Sequence, residues 1–258
     1  MKYCIHARQP LSVLAKAEQI KMRYEDHDIL FDLTEKLPEK TFIIEIPFGT
    51  EVDWNKMKQY NVLCQDFVLA LYDLKMIEKC KELEIQFYYA YPITSYFELT
   101  SIIPLQPSYI SIGMPLTFDV IKLNLLTNIP IRMCPNKSYD EYIPRERENG
   151  ICGQWIRPED QEYYEPYIDV LDFAANDLTE EQTLLHIYKD NKEWPGNLNL
   201  IIKNLNYNID NRILPDDFAA RRLGCLQRCF RDGICHHCES SFKFAEVMGK
   251  KVKKEKTN

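Results

Sequence analysis

The sequence predicts an α/β fold: a (β/α) barrel of the TIM type, with about seven strands in evidence and a helical, cysteine-rich C-terminal extension. Short apolar runs recur mostly about 20–25 residues apart, a spacing that suits repeated βα units better than an open dinucleotide-binding sheet. Most of these runs are continuously apolar rather than alternating, as parallel strands covered on both faces require. Helical patterns or polar connections separate them, which favours right-handed βαβ crossovers. A flavodoxin-like open sheet is the structural alternative, and with no eighth strand evident the barrel is expected to be incomplete.

In chain order the strands are expected at KYCIHA (2–7), TFIIEIP (41–47), FVLALY (67–72), QFYYAY (86–91), SYISIG (108–113), PIRMCP (130–135) and YIDVLDFA (167–174). Helices are expected over 10–24, 51–59, 73–83, 95–102, 116–127 and 158–164, with Asp73 and Thr117 as N-caps. The pattern changes after Asn176. LTEEQTLLHIYKDN carries helix-start chemistry, with Thr179 at its opening and Glu180 to Gln182 in its first turn. LPDDFAARRLG is expected to be helical up to Gly224. Residues 1–176 thus read as the barrel domain, and 177–258 as a helical extension packed on it.

Of 258 residues, 45% are hydrophobic and 12% aromatic, enough for a sizeable core and too many for a disordered chain. No apolar run approaches the ~20 residues needed to span a bilayer. Met1 runs directly into a strand-like segment, so no secretory leader is expected and the reduced cytoplasm is the expected compartment. Nine cysteines, an odd number, argue against complete disulfide pairing. Cys4, Cys64 and Cys80 lie in apolar segments and read as buried small hydrophobes.

Charge is unevenly spread. The net charge is −7, yet residues 211–258 hold eleven Lys and Arg against six Asp and Glu, a balance of +5, leaving −12 on the rest. An acidic body discourages a broad nucleic-acid groove, whereas the basic end leaves room for RNA or another anionic partner. The final KKVKKEKTN reads as a solvated tail.

The chemistry-bearing motif is Cys225-x3-Cys229-x5-Cys235-x2-Cys238. Four thiolates this close repel one another unless a cation or cluster offsets their charge, and both tetrahedral Zn²⁺ and a [4Fe–4S] cluster accept four such ligands. His236 and His237 adjoin the motif and could replace a thiolate, but are expected as solvent-facing or supporting groups. Cys134 and Cys152 read either as a second ligand pair or as ordinary buried thiols. Polar residues at expected strand ends supply the other candidates: His6 and Arg8, Glu45, Asp73, Asn136, and Arg157 with Glu159 and Asp160. Glu45 stands inside an apolar strand, where a carboxylate is costly unless paired or protonated, so it reads as either a hydrogen-bonded barrel residue or an acid/base. Arg157 is suited to holding an anionic ligand. No G-x-G-x-x-G, phosphate-binding G-x-x-x-x-G-K-[ST] or H-E-x-x-H motif occurs.

QWIRPEDQEYYEPYIDVLDF (154–173) resembles the W-[IV]-R-P-E-D-x-x-x-Y element before a late strand in bacterial proteins related to peptidase family U32. NYNIDNRILPDDF (206–218), followed by a cysteine-rich end, resembles the ending of the same group. The resemblance implies a TIM-barrel-like fold and, in several branches, cysteine-ligated [4Fe–4S] clusters. It spans collagenase-like peptidases and branches that hydroxylate RNA bases or quinone precursors. The family's closely spaced mid-chain cysteines are missing here, with only Cys134 and Cys152 in that region. The resemblance therefore extends to Arg157, Glu159 and the cysteines alone. The resulting expectation is a barrel protein with a [4Fe–4S] cluster or Zn²⁺ on Cys225, Cys229, Cys235 and Cys238. Glu45, Arg157 and Glu159 are its candidate catalytic residues, and RNA or a small aromatic metabolite its substrate. The alternative is a non-catalytic interaction protein with a zinc-stapled C-terminus; a peptidase comes third.

Overall fold

The computed structural model describes residues 1–113, 128–138, 153–190 and 194–203. Its first half alternates strictly: β1 (Lys2–His6), α1 (Leu11–Leu14), β2 (Gln19–Arg23), α2 (Leu30–Lys36), β3 (Thr41–Ile46), α3 (Trp54–Leu63), β4 (Asp66–Leu71), α4 (Ile77–Glu82), β5 (Gln86–Ile93), α5 (Tyr96–Ile102) and β6 (Tyr109–Ile112). Next come β7 (Ile131–Met133), an antiparallel pair β8 (Asn136–Ser138) and β9 (Gly153–Trp155), β10 (Val170–Asp172) and α6 (Leu178–Asp190). Eight strands close into one parallel barrel in the order β1-β10-β7-β6-β5-β4-β3-β2.

The barrel is thus complete, and the strand that completes it is β2. The sequence reading placed a helix over 10–24, but the helix there is a single turn, and QIKMR crosses to the sheet. Ile20 and Met22 face the outer apolar layer, while Gln19 and Lys21 alternate with them toward the barrel interior. A strand with a polar inner face lacks the continuous apolar run that marked the others. The helices between β2 and β3 also went unread, and 158–164 forms a 3-10 segment, Pro158–Tyr163, rather than an α-helix.

Several helix starts have the expected chemistry. Ser95 and Glu98 form a reciprocal capping box on α5, and Asp53 accepts from the Lys56 amide at 3.1 Å on α3. Asp73 accepts from the Lys75 amide at 2.9 Å. On α6 the cap is Asp177, whose carboxylate accepts from the Glu180 amide at 2.8 Å, two residues earlier than the Thr179 expected. Thr117 and the 116–127 helix lie outside the described residues, as do Cys152 and everything after 203.

Two apolar clusters divide the molecule. The larger lies between sheet and helices and includes Ile5, Phe42, Ile44, Phe67, Leu69, Tyr60 and Leu184. The smaller fills the barrel itself, with Cys4, Ile43, Val68, Ala70, Tyr88, Tyr109 and Val170. Successive strand residues thus serve opposite layers. Cys4, Cys64 and Cys80 are all buried, as expected. Among the described residues, no helix is long and apolar enough to cross a membrane.

Candidate active site at the C-terminal end of the barrel

The small interior side chains of Cys4, Val68, Ala70 and Val170 leave room for one large cation. Arg132, on β7, is buried there with its guanidinium 4.6 Å from the Tyr88 ring centre and 5.4 Å from that of Tyr109. Its Nη1 donates to Gln19 Oε1 at 2.9 Å and its Nη2 to Asp172 Oδ2 at 3.0 Å; Gln19 Nε2 in turn donates to the Tyr109 hydroxyl at 2.9 Å. Burial works against this charge, but Tyr88, Cys4 and Asp172 more than compensate and hold Arg132 above its ordinary range.

Toward the C-terminal strand ends, where barrels of this type carry their active sites, the groups become titratable. Lys21 Nζ donates to Asp172 Oδ1 at 2.5 Å. Burial disfavours the ammonium, yet Asp172, with Cys4 and Glu45 adding to it, keeps its pKa well above the free value. Burial likewise opposes ionisation of Asp172, and Lys21 and Arg132 together override it and hold the carboxyl below its usual range. Glu45, on β3, goes the other way: burial raises its pKa, Lys21 only partly counteracts this, and Asp172 adds repulsion. Among the described residues, no hydrogen bond reaches the partly buried Glu45 carboxyl.

Two further groups, His6 and Tyr72, lie within reach of the Lys21 charge. Burial, then Lys21 and Arg8, push His6 below the usual histidine range. The Tyr72 hydroxyl is raised to about 12 by burial and then by Glu45. His6 is fixed from outside the barrel: its amide donates to both oxygens of Glu181, on α6, at 3.0 Å, and Gln9 Nε2 donates to the same carboxylate at 2.9 Å. Tyr72 packs edge-on against Tyr91 at 4.9 Å between ring centres, and Tyr89 lies 5.6 Å from Tyr91, giving β4 and β5 an aromatic wall.

Arg157 and Glu159 are brought together elsewhere. Arg157 is buried, with Nε donating to Asp160 Oδ2 at 2.5 Å and Nη2 to Asp160 Oδ1 at 2.9 Å; Glu159 Oε1 lies 3.7 Å from Nη1. The Trp194 amide donates to Glu159 Oε2 at 3.4 Å. The flanking Ile156 carbonyl accepts from the Tyr188 hydroxyl at 2.6 Å, which ties this segment to α6. The charges acting on Glu45 are instead those of Lys21, Asp172, Arg132 and Arg23. Asn136 is a bracket: its Nδ2 donates to the Ala174 carbonyl at 2.8 Å, and its Oδ1 accepts from the Ala174 amide at 2.9 Å. Cys134 is partly buried and lies 3.4 Å from Asn136 Oδ1, with burial raising its thiol pKa. Cys225, Cys229, Cys235 and Cys238 lie outside the described residues; among those described, no cluster suited to a metal ion occurs.

Sequence reasoning found Glu45 and His6 but missed Lys21, Arg132, Asp172 and Tyr72. The usable signal for Lys21 was the alternation in QIKMR, and for Asp172 an acid closing the apolar run of β10.

The fold and these groups define a closed parallel (β/α)₈ barrel with a charged cluster at its C-terminal end. No family model and no curated protein matches the chain. A solved structure described as the 4-hydroxy-2-oxoglutarate aldolase/2-deydro-3-deoxyphosphogluconate aldolase from TTHB1 is similar over 74% of this chain and 92% of that one, with 10% identity and a TM-score of 0.40. A likeness of that size carries no functional inference. Of what the U32 resemblance implies, the barrel is what the structure shows.

Proposed function

We propose that the chain is a barrel enzyme working at the C-terminal strand ends, with Glu45 as its acid/base and the Lys21–Asp172 pair beside it. One observation supports this above the others: Glu45 is partly buried, lies among charged groups and has no hydrogen-bond partner among the described residues. A carboxyl whose pKa burial raises, with Lys21 and Asp172 acting on it, suits proton transfer better than a free glutamic acid. Arg157 and Glu159, paired into a cluster of their own, take a supporting part in this reading.

The U32-like resemblance extends the proposal to RNA or a small aromatic metabolite as substrate, and to a [4Fe–4S] cluster or Zn²⁺ on Cys225, Cys229, Cys235 and Cys238. The donor set fits either, since four thiolates within fourteen residues meet the ligand count of both. When bound, a cluster supplies electron transfer and zinc supplies a fixed fold for the C-terminus.

The test is a comparison of products. Anaerobically purified wild-type chain and Glu45→Gln are each incubated with RNA and with a small-metabolite extract, and the products are resolved by mass spectrometry. A product formed by the wild type and absent with the variant is expected. Identical product sets would instead support a non-catalytic scaffold, a reading favoured by how fully Arg132 is satisfied within the barrel.

A further inference from the structure

Three polar groups at the C-terminal strand ends have bonding capacity that the described residues do not use. Lys21 Nζ has three N–H donors, and its one hydrogen bond among the described residues goes to Asp172. The Tyr72 hydroxyl and the Glu45 carboxyl have no hydrogen-bond partner there. Lys21 pairs with Ile43, two positions before Glu45 on the adjacent strand, and Tyr72 directly follows β4, its amide donating to the Ile46 carbonyl at 3.2 Å, so the three stand at the same end of neighbouring strands. Lys21 and Asp172 retain 15% and 22% side-chain exposure, so the pair is accessible rather than sealed.

The charge balance selects the ligand. Lys21 and Arg132 supply two positive charges, and Asp172 removes one. Arg23, in register with Glu45 on the neighbouring strand, adds a further cation at the rim. The space is therefore net positive in an otherwise acidic protein, but with a carboxylate 2.5 Å from the lysine. A dianionic phosphate would exceed the single net charge of Lys21, Arg132 and Asp172 and meet the Asp172 carboxylate at close range, whereas a monoanion nearly matches that charge. A planar carboxylate can also accept from several donors at once.

We propose that Lys21 Nζ, the Tyr72 hydroxyl and the Glu45 carboxyl form a binding site for a small monocarboxylate at the C-terminal end of the barrel. Lys21 and Tyr72 donate to its two oxygens. Glu45, whose pKa burial raises, is the third donor in its protonated form, and the Tyr72–Tyr91–Tyr89 wall covers the apolar part of the ligand. The groups facing this space are His6 on β1, Lys21 and Arg23 on β2, Glu45 on β3, Tyr72 after β4, Arg132 on β7 and Asp172 on β10. The site deepens the proposed function by naming what the substrate carries, and it rests on that reading only for the chemistry that follows binding.

The experiment is calorimetric titration of the full chain with benzoate and, separately, with inorganic phosphate. Saturable benzoate binding is expected, tighter than phosphate. Lys21→Met weakens it roughly 10- to 100-fold, the range for loss of a charge-assisted hydrogen bond. Tyr72→Phe, which leaves the Lys21–Asp172 pair intact and so preserves the fold, weakens it by up to roughly tenfold. Benzoate affinity falls as pH rises through the raised Glu45 pKa, and Glu45→Gln removes this dependence. No saturable benzoate binding, phosphate binding as tightly as benzoate, or Tyr72→Phe indistinguishable from wild type would each overturn the site. If the product comparison fails while benzoate binds, the catalytic reading falls and the site stands; the converse result removes the site alone.

Discussion

Lys21 Nζ and Asp172 Oδ1 lie 2.5 Å apart, linking β2 to β10 across the intervening β1. This contact joins the strand that sequence patterning overlooked to the last strand of the barrel. Asp172 uses its second oxygen for Arg132, so one carboxylate bridges two cations.

Removing one member of this network takes a charge partner from Asp172 or from Arg132 inside the barrel. Arg132→Met is expected to destabilise the chain by about 3–5 kcal/mol, and Asp172→Asn by a similar amount. Because the residues share bonds, the double variant should lose less than the sum. Urea denaturation of the three variants measures this; additive losses would show that the contacts are independent.

The pH dependence of stability follows from Glu45 and Glu181, both raised by burial. Between the ordinary carboxylate pKa and the raised value, the folded state holds more protons than the unfolded one. Their contribution is therefore complete below the ordinary value and is lost as pH rises through the raised one. Asp172, held low, acts oppositely: its contribution is present above the ordinary value and lost as pH falls through its depressed pKa. Urea midpoints measured across this range should decline less steeply with rising pH in Glu45→Gln than in wild type. An unchanged slope would mean that Glu45 is ordinarily ionised.

Burial leaves three thiols inert. Cys4 and Cys80 are raised to about 12 and Cys64 to about 11, all by desolvation, so almost no thiolate is present near neutrality. Alkylation followed by peptide mass mapping should leave these three unlabelled in the native chain and label them on unfolding. Rapid native labelling of Cys4 would contradict the packing of the barrel interior.

The C-terminal cysteines make a separable prediction. Protein purified without oxygen should be brown with about four irons per chain, or colourless with about one zinc. Cys225→Ser should lower that content, as elemental analysis and the visible spectrum will show. A metal-free native chain would remove the ligand role of Cys225, Cys229, Cys235 and Cys238.

Much of the barrel was legible because its outer layer is apolar on every strand, so β1, β3 to β7 and β10 announce themselves as apolar runs. β2 did not, since Gln19, Lys21 and Arg23 occupy alternate positions and blur into the helical pattern before them. The site was half legible for a related reason. A lone acid within TFIIEIP is visible in one dimension, whereas Lys21, Arg132 and Asp172 meet only through barrel closure, 40 to 151 residues apart in the chain. Arg157 drew notice through its helix-start setting, and its bidentate bond to Asp160 is a local i to i+3 pairing that the segment RPED contains.

The most direct test of Glu45 as a poised acid/base is infrared difference spectroscopy of the full chain across pH, comparing wild type with Glu45→Gln. A protonated-carboxyl band that persists above the ordinary glutamic acid range in the wild type, and is missing from the variant, is the predicted result. The same carboxyl spectrum from both proteins above that range would contradict it.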